Sequence, residues 1–129
     1  MNFTPFLMFD GQAEEAMKFY VSLFKDSKII SINRYDKNGP GPVGKVQFAK
    51  FALRDQEFLC IDSFIQHAFS FTPAISIFVD FDNEEELKNV FQEFSDGGKI
   101  LMDLDNHGFS KKFAWVDDKF GVSWQLNLP

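Results

Sequence analysis

The stretch EFLCID, residues 57–62, sets a thiol and a carboxylate two positions apart. In a strand, Cys60 and Asp62 would share a face. A cysteine attacks as its thiolate, which needs a neighbouring base or cation. No histidine is fixed near Cys60 by sequence, and a strand cysteine usually serves as a small buried hydrophobe. Asp62 is the better acid–base candidate, because burial would raise its pKa; the bland alternative is that it ends a strand and bonds a turn. His67 and His107 fall in loops without partners at ligand spacing, and read as solvated residues. The run Gly39-Pro40-Gly41-Pro42-Val43-Gly44 matches G-x-G-x-x-G. That pattern cradles phosphate through backbone N–H groups at a helix start. Pro40 and Pro42 remove two of those donors, and KVQFAKFAL after them reads as a strand, so a hairpin-type loop is expected.

Those residues need elements to hold them. The chain has 129 residues, 45% apolar, with 18 Phe; that predicts one ordered domain over residues 1–129 with a real core. A net charge of -6 without Lys/Arg clusters argues against nucleic acid or an anionic membrane as partner. One cysteine rules out an internal disulfide and a thiolate metal knuckle, and fits a reducing compartment. The N-terminus MNFTPFLMFD lacks signal-peptide features. The longest uncharged run, 63–79, contains Gln66, His67 and Pro73 and makes a poor membrane span. A cytoplasmic protein is expected.

FKDSKI at 24–29 is echoed by FSDGGKI at 94–100. At an offset of seventy, Asp10, Glu14, Glu15, Lys18, Phe24 and Asp26 meet Asp80, Glu84, Glu85, Lys88, Phe94 and Asp96. Apolar residues at 13, 16, 17, 20 and 24, and at 87, 90, 91 and 94, carry helical period. Paired glutamates suit the first turn of each helix. Asn83 with Glu86 resembles a capping box, and Gly97-Gly98 supplies a stop. A strand beginning Thr-Pro precedes each helix, and three strand-like runs follow it. The reading is an α+β fold of two tandem βαβββ modules, about 1–65 and 72–129. One helix covers one face of each sheet. The two remaining faces, turned together, would make a cupped, barrel-like interior.

Paired βαβββ units resemble the glyoxalase/bleomycin-resistance/dioxygenase superfamily, the vicinal oxygen chelate proteins. TPFLMFDGQAEEAMKFY at 4–20 is similar to the opening of its PhnB-like branch, and FAWVDDKFGVSWQLNLP at 113–129 to its ending, with a D-x-F-G-V-x-W-Q turn and strand. Members are often labelled after a demethylubiquinone methyltransferase, but no residues here supply a methyl-donor site. The superfamily's enzymes place His and Glu metal ligands on inner strand faces. The resemblance puts those slots near Pro5, at Cys60 or Asp62, at Ala74 or Ser76, and at Gln125. Pro and Ala cannot ligate and Gln seldom does. No metal and no cofactor is therefore expected, and no catalytic set is assigned.

Alternation then assigns faces. Trp124, Leu126 and Leu128 should pack under a helix, opposite Ser123, Gln125 and Asn127; Ile75, Ile77 and Val79 oppose Ser76 and Phe78. The expected inner wall carries Leu7, Phe9, Phe58, Cys60, Asp62, Ser76, Phe78 and Gln125, with Trp115. Asp62 and Gln125 would form its polar end. Aromatic walls with a few polar groups suit small molecules. The expected function is metal-independent binding of a small hydrophobic or aromatic molecule. Two alternatives stand beside it: a superfamily metalloenzyme of lyase, dioxygenase or isomerase type with displaced ligands, and a self-associating protein with a filled cup. A homodimer is expected, because open sheet edges invite strands. The connection SFIQHAFSFTP at 63–73 is also too apolar for a solvated linker.

Overall fold

The computed structural model describes residues 1–129. In chain order the elements are β1 (Phe6–Phe9), α1 (Ala13–Leu23), β2 (Lys28–Arg34), β3 (Val46–Leu53) and β4 (Gln56–Asp62), then β5 (Ile77–Asp80), α2 (Glu84–Ser95), β6 (Lys99–Asp105), β7 (Lys112–Asp117) and β8 (Ser123–Leu128). This is βαβββ twice, as the repeat predicts. The sheet orders are β1-β4-β3-β2 and β5-β8-β7-β6, the same topology in each copy. The chain divides into compact units at Met1–His67 and Ala68–Pro129. No helix is long and apolar enough to cross a membrane.

The matched charges do the same work in both helices. Lys18 reaches Glu14 at 3.1 Å and Lys88 reaches Glu84 at 2.9 Å, each four residues apart on a helix surface. The buried stripe is Ala13, Ala16, Met17 and Tyr20 on α1, and Leu87, Val90 and Phe94 on α2. Asn83 caps α2 as expected, accepting from the Glu86 amide at 2.9 Å. α1 has no such cap, because Gln12 makes no side-chain bond to the first turn. Its first amide, Ala13 N, instead donates to Asp62 Oδ1 at 2.9 Å, from the far end of β4. Asp62 Oδ2 accepts from Val46 N at 3.0 Å, and the Asp62 carbonyl accepts from the Tyr35 hydroxyl at 2.9 Å.

The glycine-proline run joins β2 to β3 as a loop, not a phosphate cradle. Tyr35 N donates to Lys45 O at 2.8 Å and Gly44 N returns to Tyr35 O at 2.9 Å, closing it as a hairpin. Gly41 lies on the Tyr35 ring, so that a Cβ there would come 2.6 Å from ring carbons.

In the second unit the β7–β8 turn is built on Asp118. Its Oδ1 accepts from the Phe120 and Val122 amides at 2.9 and 3.1 Å, and its Oδ2 from Trp124 Nε1 at 2.9 Å. Gly121 completes the turn at φ +93°, a value that side-chain-bearing residues rarely adopt. Trp124 then packs at a tilt against Phe94 of α2 with centroids 4.7 Å apart. The D-x-F-G-V-x-W-Q signature is thus a structural staple from turn to core. Asp118→Ala strips three donors of their acceptor, two of them buried, and is expected to lower stability by about 2–4 kcal/mol. Lys119→Ala, next door and exposed, is expected to shift it by less than about 0.5 kcal/mol. Urea midpoints of the two variants check this.

Candidate functional site

The nine side chains expected on one inner wall divide into two groups. Leu7, Phe9, Phe58, Cys60 and Asp62 lie on the helix-covered side of the first sheet, contrary to the expectation. Leu7 pairs with Cys60 and Phe9 with Asp62, so the five share one face. That face meets α1: Tyr20 stacks on Phe51, and Phe51 on Phe58, at 6.1 and 5.1 Å. Cys60 is 0% exposed and Asp62 1%. The parity is set by Asp62. Helix α1 begins with unmet amides and positive potential, and a carboxylate is stabilised there rather than on the opposite face. Once Asp62 turns toward α1, Cys60 and Phe58 must follow. Burial, then the Asp62 charge, push the Cys60 thiol up to about 12, so it is no nucleophile at neutral pH. Asp62 and Gln125 therefore do not form one polar end.

Ser76, Phe78, Trp115 and Gln125 do share a face, the helix-free side of the second sheet. Phe78 pairs with Gln125, Gln125 with Trp115, and Trp115 with Met102, one row across four strands. Gln125 Nε2 donates to Ser76 Oγ at 2.8 Å, and Trp115 Nε1 donates to Ser123 Oγ at 2.8 Å. The neighbouring row holds Asp80, Asn127, Phe113 and Asp105. There Asn127 Nδ2 donates to Asp80 Oδ1 at 2.8 Å and Asn127 Oδ1 accepts from Ser110 Oγ. Phe78 is 54% exposed beside Phe113, with centroids 6.3 Å apart, and Phe109 meets Phe113 edge-on at 5.0 Å. Hydrogen bonds thus pre-orient the amide and the indole next to a half-open aromatic surface. Phe113 and Asp117 lie on this face by the alternation of β7, a strand whose faces the sequence reading, which follows alternation along the fourth, fifth and last strands, does not assign.

A family model described as 3-demethylubiquinone-9 3-methyltransferase matches residues 1–127. A PhnB protein from Bacillus cereus is 56% identical over 100% of both chains, with a TM-score of 0.97. The chain belongs to this PhnB-like family. Among more distant structures, protein PA1353 from Pseudomonas aeruginosa is 21% identical over 99% of this chain and 97% of its own, with a TM-score of 0.85. The fosfomycin resistance protein FosX from Mesorhizobium loti is 8% identical over 100% and 91%, with a TM-score of 0.66; both are likenesses of fold. No curated protein matches the chain.

The metal that the sequence resemblance implies finds no donor set in this PhnB-like chain. No three His, Cys, Asp or Glu side chains converge anywhere. The helix-free rows present Phe6, Leu59 and Lys50 in the first sheet and Phe78, Gln125 and Trp115 in the second. Cys60 and Asp62 are turned under α1, and both Asp62 oxygens are spent on backbone amides.

A depression of about 550 Å³ lies beside the start of α1, lined by residues that include Glu14, Glu15, Lys18 and Lys45. Its charges are largely spent on one another and on the backbone. Arg34 grips Glu14 through its two terminal guanidinium nitrogens at 2.5 and 2.8 Å, Lys18 adds a third contact, and Lys45 bonds Gly11 O at 2.9 Å. The Arg34 hydrogen bonds, then that of Lys18, hold Glu14 down at about 2. A depressed folded value means that this contribution is full above about 4.5 and is lost as pH falls toward 2. Glu14→Gln is expected to be less stable than wild type at neutral pH, with the gap closing through that acid window. High salt should narrow it as well, since the pair is partly exposed. Urea unfolding of both proteins across that pH range checks the sign.

Proposed function

We propose that this PhnB-like protein binds a small, partly aromatic molecule on the helix-free face of its second module, without a metal. The observation that carries this reading is the row Phe78–Gln125–Trp115, where an exposed ring, a tethered amide and a tethered indole stand side by side. Such a row offers stacking area with a few fixed polar groups, the usual make-up of a small-molecule site. Methyl transfer, which the family description names, needs a donor site that no residues here supply. A lyase, dioxygenase or isomerase mechanism would need the metal ligands that this chain lacks.

Trp115 and Trp124 are the two indoles, and Trp124 is buried, so emission changes on ligand addition report Trp115. Titration with 2-phenylethanol is expected to give a saturable change. Phe78→Ala should weaken it about tenfold and Trp115→Phe should abolish the signal while calorimetric heat persists. No saturable signal and no heat would overturn the reading.

We also propose that the protein self-associates through the connection between its modules. Phe64, Ile65 and Phe69 are 53%, 56% and 65% exposed on the single chain, more apolar surface than a solvated linker carries. A second copy covering them is the economical partner. Sedimentation at micromolar concentration is expected to give a dimer, and Phe64→Ser with Phe69→Ser a monomer. A monomeric wild type would refute it.

A further inference from the structure

Every buried polar side chain in this molecule has a partner, but one buried oxygen on a half-buried side chain does not. Asp62, Asp118, Ser123 and Asn127 are all buried and all bonded. Asp117 Oδ1 alone is shut off from water with no donor to it. A carboxylate oxygen in that condition has lost its hydration and gained nothing in return. It is a standing acceptor for any donor that can reach it.

Its position gives that acceptor a context. Asp117 is the last residue of β7 and shares the helix-free face with Trp115, two residues before it. Along a strand, two residues span about 7 Å. Asp117 pairs with Ser123, and Ser123 is the residue to which the Trp115 indole is tied. The indole therefore reaches diagonally toward Asp117's own row, held by one hydrogen bond. Of the neutral polar groups in these two rows, Gln125 is bound to Ser76 and Ser123 already accepts from Trp115. On the same sheet Lys99, opposite Asp117, is exposed and leaves Oδ1 unpaired.

An unpaired anionic oxygen one strand step from an indole, with a half-exposed phenyl ring in the indole's row, is complementary to one ligand chemistry. We infer that the ligand of this face is an aryl-alkyl ammonium ion: an aromatic body stacked against Trp115 and Phe78, joined by a short spacer to a protonated amine that donates to Asp117. The ring faces attract a cation by their quadrupoles, the carboxylate supplies the charge-assisted bond, and the net charge of -6 favours cations over anions at encounter. This inference rests on the binding face proposed above and adds the class of molecule that fills it.

The test is a matched set on the full-length protein: 2-phenylethylammonium, 2-phenylethanol and 3-phenylpropionate, each followed by Trp115 emission and calorimetry. The ammonium ion is expected to bind at least tenfold more tightly than the alcohol, and the carboxylate most weakly. Asp117→Asn is expected to weaken the ammonium ion at least tenfold and the alcohol by less, erasing the preference for the ammonium ion. Ammonium and alcohol binding alike in the wild type would overturn the ammonium inference and leave the binding face standing. Binding by none of the three would overturn both. Should Asp117→Asn fail to fold, by circular dichroism, the wild-type ranking alone decides, and raising salt should weaken the ammonium ion selectively.

Discussion

One carboxylate fixes the first module. Asp62 spans the Ala13 amide at the start of α1 and the Val46 amide at the start of β3, while its carbonyl receives the Tyr35 hydroxyl. Four segments that are far apart in sequence meet at that residue. The angle at which α1 enters, the closure of the glycine-proline loop through Tyr35, and the choice of which face of β4 is buried all follow from it. Its position leaves no room for a catalytic role, because both oxygens are spent on backbone donors that would otherwise be orphaned in the interior.

The second module reaches the same topology by a different anchor. There the helix carries its own cap in Asn83, so the strand next to β5 needs no acid at that level. The buried acid sits instead in the β7–β8 turn, where Asp118 holds Trp124. Freed of the capping duty, β8 places polar residues on the helix-free side. The two sheets thus differ in what their uncovered faces offer. The first shows Phe6, Phe48, Leu59 and Ile61; the second shows Gln125, Trp115, Asn127 and Ser123 among its aromatics.

Topology was legible because the helical period, the Glu/Lys spacing and the strand count recur at a fixed offset, and each reports a local rule. Face parity was legible in the second module, where Trp124, Leu126 and Leu128 contrast plainly with Ser123, Gln125 and Asn127. It failed in the first, where both sets of β4 are largely apolar and Leu59 and Ile61 look more like core than Cys60 and Asp62. What decided the matter was a bond from β4 to a helix 49 residues earlier, which no local period reports. The repeat itself held the remedy for β1. At an offset of seventy Leu7 and Phe9 answer to Ile77 and Val79, which pack beneath α2, so they belong beneath α1. Asp117 was silent in the sequence because its interest lies in a missing partner, which only coordinates reveal.

In each sheet the outermost strand at the far edge from β1 or β5 breaks register twice: β2 between Ile29 and Ser31 and again at Arg34, β6 between Ile100 and Met102 and again before Asp105. An irregular strand presents its free N–H and C=O groups out of line, so another chain cannot zip onto it. The opposite edges are only four residues long. For a chain that makes 18 of its 129 residues phenylalanine, these frayed borders are a safeguard against amyloid. They confine stickiness to faces and linkers, where contact is saturable, and deny it to the backbone, where growth would have no end.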